Sequence, residues 1–118
     1  AVAGEGELAV MSSRGAQAVI DGMTSRTWEN SSAPRSLFAM MRYRPGDSAP
    51  AVSVPLLVCV GSADKESPVE KATALAHLAP RGELRTYPLA HFDFYRDAVR
   101  QRITADQIAF LDRVLAGT

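Results

Sequence analysis

Residues 54–68, "VPLLVCVGSADKESP", contain the change of pattern on which the fold turns. Val54 to Val60 is an unbroken apolar, partly β-branched run, which suits a parallel strand buried on both faces better than an exposed antiparallel one. The polar stretch "GSADKE" breaks it. Ser67-Pro68-Val69-Glu70 then has the spacing of a capping box with proline at the first helical position, and it opens an alanine-rich helix over 68–79. Pro80 and Gly82 close that helix. Residues 83–87 alternate polar and apolar, as a strand near a sheet edge does, and Pro88 is tolerated at its end. From 96 to 115, Val99, Ile103, Phe110, Leu111 and Val114 recur near helical spacing, and Thr104 with Gln107 has the form of a second capping box after a small break.

The pattern is less regular toward the amino terminus. Residues 44–53, "RPGDSAPAVS", have turn formers and no period, and read as a linker. Before it, Ser32 with Pro34 signals a helix start; Leu37, Phe38, Met40 and Met41 form its apolar face, and Pro45 and Gly46 stop it. Ser12 or Ser13 can cap a shorter helix over 13–21 with Ala16, Val19 and Ile20 on one face, weakened by Gly15 and ended by Gly22. Residues 1–11 read as loop. Two domains follow from this division: a helical segment over 1–45 and a strand-helix-strand-helix unit over 46–118.

Bulk composition narrows the function. Of 118 residues 47% are hydrophobic and 22% charged, so the chain is an ordinary globular one rather than disordered or collagenous. Thirteen basic residues balance thirteen acidic ones, which removes the electrostatic reason to expect a nucleic acid or an anionic membrane as partner. A single cysteine, Cys59, allows no internal disulfide and no thiolate metal site, and favours a reducing, cytoplasmic location. No phosphate loop, zinc spacing or calcium loop occurs, so no cofactor or metal is expected. The longest apolar run is far short of the roughly 20 residues of a membrane helix, and residues 1–20 lack the form of a signal peptide. A chain that starts at Ala1 rather than methionine is expected to have been processed, cleaved or cut from something longer.

In open parallel sheets, reactive groups gather in the loops at the carboxyl ends of the strands, where those ends face one crevice. Two loops of this chain occupy that position. "GSADKESP" carries Asp64, and "PLAHFDFY" carries His91. Consecutive parallel strands commonly pair as neighbours, and a right-handed crossover would bring both loops to one rim about a strand spacing apart. A carboxylate can then hold an imidazole in one tautomer and stabilise its protonated form, which is half of a nucleophilic triad.

From "VPLLVCVGSADKESP" through "GELRTYPLAHFDFY" to the closing helix, residues 50–116 resemble the carboxyl-terminal portion of the α/β-hydrolase superfamily, especially its serine esterase and acyl-peptidase-like members. Residues 1–45 are similar only in general character to the lid-to-core region that precedes this portion. The resemblance implies a partial α/β-hydrolase fold: the last two parallel strands (54–60 and 83–87) with flanking helices, at the edge of a larger doubly wound sheet. It implies Asp64 as triad acid and His91 as general base of an enzyme cleaving an ester, thioester or amide, with a small acyl compound as substrate. It supplies no nucleophile, because the family's G-x-S-x-G elbow and oxyanion-hole loop lie upstream and no such motif occurs in these 118 residues. The isolated chain is therefore predicted to be inactive.

Other readings compete residue by residue. Glu66 and Asp93 rival Asp64 as the acid; Ser67 as helix cap leaves Asp64 free, and Asp93, close in sequence to His91, suits a cap of the terminal helix. Ser62 follows a glycine but lies in the acid loop, without the context of an elbow. His77 reads as a surface or packing residue, Cys59 as a small buried hydrophobe, and Trp28, Met40 and Met41 as core or interface packing, or as lining of an acyl pocket in the parent. "RDAVRQR" reads as a solvated helix face. An aspartate nucleophile, giving epoxide hydrolysis or dehalogenation, fits the same residues. So does a non-catalytic module that associates with another copy through the unpaired edge of the strand at Val54 to Val60. A flavodoxin-like domain is disfavoured, since one βαβ unit is too little sheet.

Overall fold

The computed structural model describes residues 2–4, 7–12, 15–23 and 25–117, and the chain divides into two compact units, Ala1–Arg44 and Pro45–Thr118. Among the described residues it is a mixed α/β chain with four α-helices, two 3-10 segments and a two-stranded parallel sheet.

In the first unit, the described residues before Ser12 form no regular element beyond an isolated bridge between Val2 and Met11. Asn30 closes on that bridge: its Oδ1 accepts from the Val2 N–H at 2.7 Å and its Nδ2 donates to the Val2 carbonyl at 2.6 Å. Helix α1 is Ala16–Met23. It starts later than the expected residue 13, and Ser13, one of the two expected caps, lies outside the described residues. Gly15 precedes the helix with φ +80°, a left-handed conformation that glycine adopts without cost. Gly22 lies inside α1 instead of ending it, where a Gln17–Asp21 side-chain bond of 2.6 Å ties one turn to the next. Helix α2, Pro34–Arg42, has proline in its first turn as expected. It ends short of Pro45, where Tyr43 turns extended. None of its residues is buried, and Phe38, Met40 and Met41 are more than half exposed, as Trp28 is in part, so of the expected uses of Trp28, Met40 and Met41 the core one is not realised within this chain.

In the second unit the expected linker is ordered. Pro45–Ala51 forms a 3-10 segment that packs on the next helix and buries Ala49. Strand β1 (Leu56–Gly61) pairs in parallel with β2 (Gly82–Tyr87), from Leu56 opposite Gly82 to Gly61 opposite Tyr87. Helix α3 (Val69–Leu78) makes the crossover and packs on both strands. The approach is so close that a Cβ on Gly82 would collide with the Ala76 carbonyl of α3. A 3-10 turn, His91–Tyr95, leads into α4 (Asp97–Leu115).

Three expectations about these elements need correction. Neither capping box forms: α3 has no side-chain cap, and α4 is continuous through Thr104 and Gln107 with no break. Pro68 stands just outside α3 rather than at its first position, and ahead of it the Asp64 carboxylate accepts the N–H groups of Glu66 and Ser67. Strand β1 is not buried on both faces: Val60 and Gly61 are buried, while residues 56–59 stay partly accessible and one edge has no partner among the described residues. The physical reason is that α4 is tied by its side chains to β2, through Tyr87 to Asp106 at 2.7 Å and Glu83 to Arg113 at 2.7 Å. The core of this unit is small: Ala49, Val60, Ala76, Ala79, Tyr87, Phe92, Ile103 and Phe110.

Candidate active site

Parallel pairing does not stop where the strands do. Beyond Gly61, the Ser62 N–H donates to the Tyr87 carbonyl at 2.7 Å, and the Ala63 N–H donates to the Leu89 carbonyl at 3.1 Å. These two bonds staple the loop after β1 to the loop after β2. Gly61 makes the second possible, since a Cβ there would collide with the Leu89 carbonyl and come within 2.9 Å of the Phe94 ring.

The staple delivers Asp64 to His91. Asp64 Oδ2 lies 2.9 Å from His91 Nδ1. Its Oδ1 accepts the backbone N–H of Glu66 at 2.8 Å and of Ser67 at 2.9 Å. Burial pushes the Asp64 carboxyl up, but the N–H of Ser67, the His91 ring and the N–H of Glu66 together outweigh it and hold the group below the ordinary carboxylate range. A carboxylate accepts and cannot donate, so the Nδ1 proton must belong to His91. Nε2 is then the basic nitrogen, and it has no partner among the described residues. The His91 side chain is 23% exposed and that of Asp64 10%, which leaves the ring accessible and its orienter shielded.

The aromatics around His91 are packing. Phe92 is buried and stands edge-on to the imidazole, with centroids 5.0 Å apart, while Phe94 packs edge-on to Tyr87 at 6.2 Å. A cavity of about 410 Å³ opens beside the pair, lined by Asp64, His91 and Ser67 together with Cys59, Val69 and Tyr95 among others. Its lining is mainly apolar, with Asp64, Ser67 and His91 among its polar groups, the character of a small-molecule site.

The rival acids go elsewhere. Asp93 accepts from the Ala90 N–H at 2.9 Å and pairs with Arg96 at 3.2 Å. It thus caps the 3-10 turn, not α4, because that turn intervenes. Glu66 meets Asp64 through its backbone. His77 is exposed in the last turn of α3. Cys59 is only half-buried, on the accessible part of β1, with its Sγ 4.0 Å from the Tyr87 hydroxyl. The expectation that Ser67 caps a helix and frees Asp64 is reversed: Asp64 holds the loop, and the Ser67 hydroxyl lies 3.4 Å from His91 Nδ1. The Tyr87–Asp106 bond was not expected at all; nothing in a period-2 strand marks one tyrosine as reaching a helix 19 residues on.

Among the described residues no group of three or more metal-ligating side chains occurs, and no helix is long and apolar enough to cross a membrane.

No protein-family model matches the chain, and no solved structure gives a significant match. Among curated proteins it is 31% identical over 83 residues to the quorum-quenching protein AidA of Acinetobacter baumannii (strain MDR-ZJ06), an alignment covering 70% of this chain and 27% of that protein. It is 30% identical over 78 residues to an uncharacterised 31.7 kDa protein of the traX-finO intergenic region of Escherichia coli, covering 64% of this chain and 27% of the relative. The chain thus spans about a quarter of the length of the curated relatives it matches.

Proposed function

We propose that this chain is the carboxyl-terminal part of an α/β-hydrolase that cleaves an ester, thioester or amide, with His91 as general base and Asp64 as its orienting acid. The observation that carries the proposal is the 2.9 Å contact between Asp64 Oδ2 and His91 Nδ1, which leaves Nε2 free beside a cavity. In such a site Nε2 takes the proton of a serine hydroxyl as it attacks the acyl carbon, Asp64 stabilises the imidazolium, and the proton then passes to the leaving group. The nucleophile and the oxyanion donors belong to sequence outside these 118 residues. The two-stranded sheet is the edge of a larger doubly wound sheet, 46–118 is the βαβα unit that ends it, and 1–45 connects lid and core. The alignment with a protein named for quorum quenching agrees with an enzymatic parent.

The test is made on the full-length protein carrying this segment. His91→Ala and Asp64→Asn are each expected to lower kcat on an activated ester by on the order of 10³- to 10⁴-fold. A fluorophosphonate is expected to label one serine, upstream of residue 1. Activity that survives His91→Ala defeats the reading, as does a full-length sequence without a strand-turn-helix nucleophile elbow.

A second reading has its own support. The edge of β1 that has no partner among the described residues, with Val54 exposed beside it, fits an association module that pairs with another copy of the chain. Size-exclusion chromatography at micromolar concentration discriminates, since a clean monomer excludes such pairing.

A further inference from the structure

Ser67 addresses the Asp64–His91 pair with both of its polar groups. Its backbone N–H donates to Asp64 Oδ1 at 2.9 Å, and its hydroxyl lies 3.4 Å from His91 Nδ1, the nitrogen that Asp64 Oδ2 meets at 2.9 Å. Two bland roles are set aside by the geometry. The hydroxyl makes no cap bond to α3, which begins only after Pro68. Nor is it placed as a nucleophile, because it faces Nδ1, whose proton is turned toward the carboxylate, and not the basic Nε2.

We propose that Ser67 is a positioning residue: its hydroxyl oxygen accepts a second, weaker share of the Nδ1 proton while its N–H fixes the carboxylate that takes the main share. This rests on the reading of Asp64 and His91 as acid and base. A ring flip of the imidazole would set a carbon where Nδ1 stands, leaving two oxygens instead of one facing a C–H, so the hydroxyl adds to the cost of the wrong orientation. Pro68 contributes by restricting the backbone of the residue before it to extended conformations, which narrows where the Ser67 side chain can go. Ser67 is itself exposed, so its removal should not disturb the core.

The experiment is nuclear magnetic resonance of the full chain with nitrogen-labelled histidines, the signals of the two histidines being separated by a His77→Asn variant. In the unmodified protein, His91 is expected in the Nδ1–H tautomer with a slowly exchanging Nδ1 proton. In Ser67→Ala, exchange with water is expected to quicken about threefold, the size of one weak neutral hydrogen bond, and the Nε2–H tautomer to rise. Ser67→Thr keeps the hydroxyl and is expected to restore both signals, which a loss of general loop rigidity would not predict. Equal exchange in Ser67→Ala and the unmodified chain overturns the role of Ser67 and leaves the pair standing. A His91 tautomer and exchange rate unchanged in Asp64→Asn removes the pair itself, and the proposal with it.

Discussion

Asp64 divides its two oxygens, one to the loop that carries it and one to His91, and that division sets its response to pH. Because its folded pKa is depressed, the stability it contributes is whole above the ordinary carboxylate value near 4 and is lost as pH falls below it. Asp64→Asn is therefore expected to lower stability by about 1–3 kcal/mol at neutral pH and by progressively less under acid conditions, as urea midpoints of the two proteins converge. Tyr87 behaves oppositely. Burial first, then its bond to Asp106 and the nearby Cys59, raise its pKa, so its contribution is whole below about 10 and is lost in alkali. Tyr87→Phe is expected to cost about 1–2 kcal/mol, because the Asp106 carboxylate loses its donor, and to reduce the alkaline loss of stability. Of these residues, Asp64 and His91 could be singled out because each is a titratable group in a loop after a strand. Ser67 and Tyr87 could not, since a serine before proline and a tyrosine in a strand have commoner uses.

At the scale of elements, glycine decides how near the pieces come. At Gly61 and Gly82 an added methyl meets backbone carbonyls, of Leu89 and Ala76 respectively, and a carbonyl held in a strand-end staple or a helix cannot swing aside. Gly61→Ala and Gly82→Ala are each expected to cost about 1–3 kcal/mol, read as a lower urea midpoint with unchanged m-value. Gly61→Ala should also part the two loops and loosen the Asp64–His91 contact, read as faster exchange of the His91 Nδ1 proton, whereas Gly82→Ala, at the far end of β2, should affect stability alone. The spans of β1, α3 and β2 were legible in the order apolar run, polar loop, proline, alanine-rich stretch and alternation, because each reports a local preference. The caps were not. A capping box depends on where a side chain points once the chain has folded, and here the Ser67 hydroxyl lies 3.4 Å from His91 Nδ1 and makes no cap bond to α3.

For the whole molecule, burial is what the chain lacks. Ile108, Leu111, Leu115 and Leu78 are about half exposed or more, as are Phe38, Met40 and Met41. Two strands cover few helix faces, and stability independent of further sheet is expected to be low. The isolated chain is expected to show no hydrolysis of p-nitrophenyl acetate above that of its free histidines, since in the proposed roles of His91 and Asp64 a base and its orienter without oxyanion donors stabilise little of the transition state. Turnover abolished by His91→Ala in the isolated chain would contradict this. The α/β character, the order of the elements and the two loops that follow the strands were determined by the amino-acid order alone, because propensity, periodicity and turn chemistry act over a few residues. Which carboxylate meets the imidazole, by which nitrogen, and that Ser67 joins them, was decided only in three dimensions: those contacts span 24 and 27 residues and exist because parallel pairing runs past the strand ends into the loops.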